Sequence, residues 1–155
     1  MMQISTSTLA GLRFFKGLPA CYLKKFAENA MPAEFKAGEF IFNEGEPANC
    51  FYVIVDGGVA LVSREHSQLI ETIGPGDLLG WSWLIPPYLW RFDARAVTTL
   101  NVLFFYASRL REECENNHDF GYELMKRVAG VVVERLQATP YQLPQKPDRS
   151  HLIET

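Results

Sequence analysis

The residue types suited to binding chemistry concentrate in GPGDLLGWSWLIPPYLWRFDARAV, residues 74–97. The stretch opens like a turn into a phosphate cradle. It then places Trp81, Trp83 and Trp90 where small and charged residues would be expected. An indole can stack on a planar ligand and offer its N–H as a donor, or it can simply fill core. Downstream, strand alternation puts Arg91, Asp93 and Arg95 on one face and Phe92, Ala94 and Ala96 on the other. Turned inward, that first face would gather two guanidiniums and one carboxylate, a set suited to an anion. Turned outward, Asp93 would only pair with an arginine and contribute little.

Other chemistries lack their residues. His66, His118 and His151 are scattered, whereas a metal-binding jelly roll needs two or three histidines and a carboxylate clustered on adjacent strands. Cys21, Cys50 and Cys114 are odd in number and without a CxxC pair, against both a disulfide framework and structural zinc. No Ser or Cys sits with a histidine in a catalytic setting, so an enzyme is not expected. The net charge of -3 gives no basic patch for nucleic acid. No apolar run reaches the roughly 20 residues that span a bilayer, and MMQISTSTLAGLRFF lacks the pattern of a signal peptide. The sequence reads as cytoplasmic, with no membrane partner.

These residues must be positioned by one domain, because 155 residues with 48% apolar content suit a single core. Leu12, Phe15, Leu18, Leu23, Phe26 and Ala30 suggest short helices between Leu9 and Ala30, broken at Gly17-Leu18-Pro19. From Glu34 to Tyr106, runs of Phe, Val, Ile and Tyr alternate with glycine turns, the texture of a barrel, sandwich or jelly roll. VTTLNVLFFYA (97–107) is one more strand, with a turn at Asn101. Ser108 is positioned to cap a helix through Glu115. After a break at Asn116-Asn117, a second helix is predicted over Asp119–Gln137. Its stripe is Phe120, Leu124, Val128, Val131, Val132 and Leu136. Pro140, Pro144 and Pro147 make residues 138–155 a flexible tail rather than a further folded unit.

FKAGEFIFNEGEPANCFYVIVDGGVALV, near residues 35–62, resembles the start of the cyclic nucleotide-binding domain of catabolite-activator-type regulators and cyclic-nucleotide-dependent kinases. The likeness rests on Gly38, Glu39, Ile41, Phe42, Gly45, the Phe51-Tyr52-Val53-Ile54 strand and Gly57. It continues through GPGDLLG, the Val97–Tyr106 strand and two terminal helices. It implies a mainly β fold, an eight-stranded β-roll (a jelly roll, or double-stranded β-helix) with N-terminal helices and a long C-terminal helix, over residues 9–137.

The resemblance also implies a site. Its members carry a Phe-Gly-Glu cassette followed by an arginine: the Glu takes the ribose hydroxyl, the Arg pairs with the phosphate, and amides at a helix start complete the anion site. Here Leu79-Gly80 fits Phe-Gly, but Trp81 stands in place of the Glu, and indole is a donor only. The arginine is Arg91 when aligned forward from Gly80, with Arg95 as the alternative. The implied ligand-binding set is Gly80, Trp81, Ser82, Trp83, Arg91 and Arg95, with no catalytic residue and no metal. No cofactor is required. The expected occupant is a cyclic nucleotide or other small anion, with tight cyclic-AMP binding not expected. In the regulators it resembles, the last long helix pairs with its two-fold mate, so Leu124, Val128, Val131 and Val132 are the expected homodimer face; the alternative is that this single face packs on the chain's own roll. The short proline-rich remainder after Gln137 leaves no room for a DNA-reading helix, so any output would pass to a protein partner. The alternative function is a ligand-free module for oligomerisation or protein docking.

Overall fold

The computed structural model describes residues 4–64 and 68–138 of the chain. The predicted tail and two of the three histidines, His66 and His151, lie outside the described residues. Eight strands form two four-stranded antiparallel sheets. In one, β1 (Met31–Phe35), β8 (Leu100–Tyr106), β3 (Cys50–Asp56) and β6 (Leu78–Leu79) lie in that spatial order. In the other the order is β2 (Phe40–Phe42), β7 (Asp93–Ala96), β4 (Val59–Ser63) and β5 (Gln68–Ile73). This is the eight-stranded roll that the resemblance implied.

Helices cover one side. Ser5 caps α1 (Thr6–Ala10) through the Thr8 amide. A one-turn 3-10 segment, Arg13–Phe15, leads to α2 (Ala20–Asn29). Leu23, Phe26 and Ala27 are spaced to share one face of α2, and all three are buried. After β8 come α3 (Ala107–Asn116) and α4 (His118–Ala138). Ser108 lies inside α3 rather than at its cap, because the strand runs straight into the helix at Tyr106 without a side-chain cap. Asn117 breaks the pair as expected, and its Oδ1 accepts from the Phe120 amide to start α4. Asn101 pairs inside β8 with Glu34 rather than turning; the bend falls earlier, at Val97–Thr99.

The core is aromatic. Phe51 lies between Phe105, 4.8 Å away at 13°, and Trp83, 4.7 Å away at 15°. Phe15 and Phe26 join the same cluster from the N-terminal elements, and Phe120 from α4. Such ring pairs add about 0.5–1.5 kcal/mol each beyond the area they bury. At the β3–β4 corner, Gly57 has φ 102°, and a Cβ there would collide with the backbone of Thr99. Only glycine fits that corner.

The inner stripe of α4 is largely absorbed by this core. Phe120, Leu124 and Val128 are buried at 1%, 1% and 4% exposure. Val131 and Val132 are half-buried against the roll. Leu124 and Val128 are therefore not a free dimer face: the sequence stripe was real, but the roll itself is its partner. The large exposed apolar residues of α4 are Tyr122, Met125, Val133 and Leu136.

Candidate functional site

Between the roll and α4 lies a cavity of about 310 Å³. The roll contributes Phe42, Leu61, Ile70 and Glu71 from β2, β4 and β5. The loop from β6 to β7 contributes Gly80, Trp81, Ser82, Trp90, Arg91 and Phe92. Val132, Arg135 and Leu136 of α4 close the remaining side. Most of the lining is apolar. Its charged groups are Glu71, Arg91 and Arg135.

Four of the six predicted site residues meet here: Gly80, Trp81, Ser82 and Arg91. Gly80 has φ 91°, and a Cβ at this position would run into the ring of Trp90. That ring lies flat on Phe42, with centroids 3.7 Å apart at 8°, and is 5% exposed. Trp90 thus forms the cavity floor, and the glycine turn is what lets it lie there. Ser82–Leu84 is one turn of 3-10 helix, too short to build up much of a helix dipole.

Trp83 and Arg95 lie elsewhere. Trp83 has 0% exposure and stacks on Phe51, so it is core and not a ligand contact. Its carbonyl accepts from Arg111 Nη1 at 2.5 Å. Arg95 is exposed in β7, opposite Phe40 and Ala60, and does not line the cavity. The expected three-residue face fails because β7 begins only at Asp93, while Arg91 and Phe92 lie in a bend before it. Asp93 has Glu44, Asn43 and Arg64 as its partners. It is 7% exposed and accepts from the Glu44 amide at 2.7 Å and from Arg64 Nη2 at 3.0 Å. Burial alone would raise its pKa, but the Glu44 amide, Arg64 and Asn43 outweigh burial, and the pKa falls below the usual carboxylate value.

Two charged residues of the site escaped the sequence reading. Glu71 projects from β5, and burial raises its pKa against the pull of Arg135. Arg135 projects from α4 on the face of Val128, seven residues on. Its Nε lies 3.6 Å from Glu71 Oε2, its Nη2 donates to the Leu78 carbonyl, and its Cζ lies 5.1 Å from the centroid of the Trp81 ring. Burial lowers its pKa, with Glu71 opposing. A cation continuing an apolar stripe was the signal available in the sequence; the stripe was read only for its apolar members.

Among the described residues there is no group of three or more His, Cys, Asp or Glu placed to hold a metal. Nor is any described helix long and apolar enough to cross a membrane.

A β-roll with a cavity between its β6–β7 loop and a terminal helix defines a sensor-domain architecture. The cyclic nucleotide-binding domain matches residues 32–117, and the chain belongs to that family. A Geobacter metallireducens GS-15 protein assigned to cyclic nucleotide binding has a crystal structure similar to this one, with TM-score 0.79 and 36% identity. The match covers 86% of this chain and 98% of that one. The CRP-like cAMP-activated global transcriptional regulator of Mycobacterium tuberculosis is 24% identical over 84% of this chain. The chain spans 58% of that relative's length. The regulatory subunit of a cAMP-independent protein kinase A from Trypanosoma brucei shares the fold, with TM-score 0.67 and 21% identity over 86% of this chain and 44% of that one.

Proposed function

We propose that this chain is a sensor module whose diverged cassette takes a small anionic, nucleotide-like ligand and reports its presence through α4. One observation carries the reading: the cavity is shared, walled by the β6–β7 loop on one side and by Val132, Arg135 and Leu136 on the other. An occupant therefore touches the roll and the helix together, which is what linking binding to output requires. The three free cysteines suit a reducing cytoplasm, and no catalytic step is part of this role.

Ordinary tight cyclic-AMP binding is not expected. Trp81 cannot accept from a ribose hydroxyl, and losing a hydrogen bond to a charged group costs about 1.5–3 kcal/mol. The comparisons leave this open, since the similar proteins include a cAMP-activated regulator and a cAMP-independent kinase subunit. Thermal-shift screening of nucleotides and aromatic acids, followed by calorimetry, tests the proposal. At least one anion should raise the melting midpoint, and Arg91→Gln should weaken that response. Cyclic AMP should bind no more tightly than micromolar. A submicromolar constant would mean that a carboxylate still reaches the ribose, and Glu71 is the one lining the cavity. If no anion shifts the midpoint, the docking reading takes over, which the exposed Tyr122, Met125, Val133 and Leu136 of α4 favour.

A further inference from the structure

Arg135 is a cation without a full set of partners. A guanidinium carries five N–H donors and needs acceptors for them when buried. Here one bond is made, to the Leu78 carbonyl. Glu71 lies at 3.6 Å, close enough for ion pairing but long for a hydrogen bond. Nη1 is buried without a partner. The side chain also lines two cavities, the one above and a larger groove of about 600 Å³ beside Arg13, Asp77 and Glu134. That groove already balances its charges: Arg13 reaches Asp77 at 3.4 Å and Glu134 at 3.0 Å.

The smaller cavity is different. Its charged lining is Arg91, Arg135 and Glu71, which leaves one positive charge unmatched. The rest is Trp81, Trp90, Phe42, Leu61, Ile70 and their apolar neighbours. Such a wall covers a flat hydrocarbon body well and leaves sugar hydroxyls unpaired, at a cost of about 1–3 kcal/mol for each stranded polar group.

We infer that Arg135 of α4, rather than an arginine of the roll, is the main anion receptor of this cavity, and that its ligand is a flat, apolar, sugar-free monoanion such as an aromatic carboxylate. The inference rests on the sensor reading above but replaces its nucleotide-like ligand with a sugar-free one. The ligand's oxygens take the Arg135 guanidinium in place of Glu71, and its body lies against Trp81 and Trp90. Because Arg135 rides on α4, the receptor and the reporting helix are one element.

The test titrates the full chain with 1-naphthoate, following tryptophan fluorescence, with neutral 2-naphthol and cyclic AMP as comparators. Arg135→Gln should weaken naphthoate by about tenfold or more, as loss of a charged hydrogen-bond pair implies, and leave 2-naphthol nearly unchanged. Arg135→Lys should restore part of the naphthoate affinity, and Arg91→Gln should cost less than Arg135→Gln. Circular dichroism reports whether each variant is folded, and the 2-naphthol response reports whether its cavity survives. The inference is overturned if folded Arg135→Gln binds naphthoate like the parent, or if Arg91→Gln is the more damaging change. If cyclic AMP binds through Arg91 while naphthoate does not bind, the inference falls and the sensor reading stands. If neither binds, the inference falls, and the sensor reading falls with it only when the wider anion screen also gives no shift.

Discussion

At Asp93 a carboxylate sits nearly out of solvent and is held ionised by the Glu44 amide, Arg64 and Asn43. Its folded pKa lies below the ordinary value of 3.8, so its protonation and its stability contribution are linked. The sign follows from that order. The contribution is complete above the unfolded pKa and is lost as pH falls through the depressed folded value. Urea unfolding of the parent and of Asp93→Asn should therefore show a gap of about 1.5–3 kcal/mol near neutral pH, the range for hydrogen bonds to a charged group. The gap should shrink steadily below about pH 4. A pH-independent gap would mean that the carboxylate's charge contributes nothing there. The sequence pointed to Asp93 but assigned it the wrong partners: Arg91 and Arg95 are close in the chain, whereas Arg64 comes from the end of β4 and only the fold brings it near. Gly80 and Trp81 were legible because glycine geometry and donor-only indole are properties of the residue itself. Trp83 was not, since a tryptophan's burial depends on Phe51, which is far away in sequence.

At the scale of elements, the glycine turns and the Phe-, Val- and Ile-rich runs marked the strands well, and Asn117 marked the junction of α3 and α4. That junction holds because Asn117 Oδ1 takes the Phe120 amide, while the Asn117 amide reaches back to the Glu113 carbonyl. Asn117→Ala should lower stability by about 0.5–2 kcal/mol, the usual cost of losing an N-cap. Asn117→Asp should retain most of it. Chemical denaturation of the two variants measures the difference, and equal losses would show that α4 is fixed by packing alone. The boundary of β7 was illegible for a related reason. Period-2 alternation runs on through Arg91 in the sequence, but the backbone leaves the strand at Phe92, and alternation has no meaning in a bend. The helix stripe was visible, though periodicity shows only that a face is apolar and not what covers it.

For the molecule as a whole, the assembly prediction moves to a different face. Leu124 and Val128 are committed to the chain's own core, whereas Tyr122, Met125, Val133 and Leu136 are exposed, Leu136 at 72%. Their spacing follows a seam along α4. A homodimer built on this helix should dissociate with Met125→Glu or Val133→Glu while each chain stays folded. Val128→Glu should instead unfold the chain, because a charge there would be buried without a partner. Sedimentation velocity together with circular dichroism separates the two outcomes; a monomer at high micromolar concentration would rule the dimer out. The placement of Arg135 has a mechanical side as well. α4 is anchored near its middle by Val128, and by Arg127, whose Nη1 donates to the Phe14 carbonyl. Arg135 lies about 10 Å further along the axis, at about 1.5 Å per residue. With the fulcrum at Val128, a tilt of only about 6° carries the guanidinium about 1 Å over that arm. That is enough to close or open a 3.6 Å ion pair, so a change too small to disturb the core at the pivot is magnified where the helix meets the cavity.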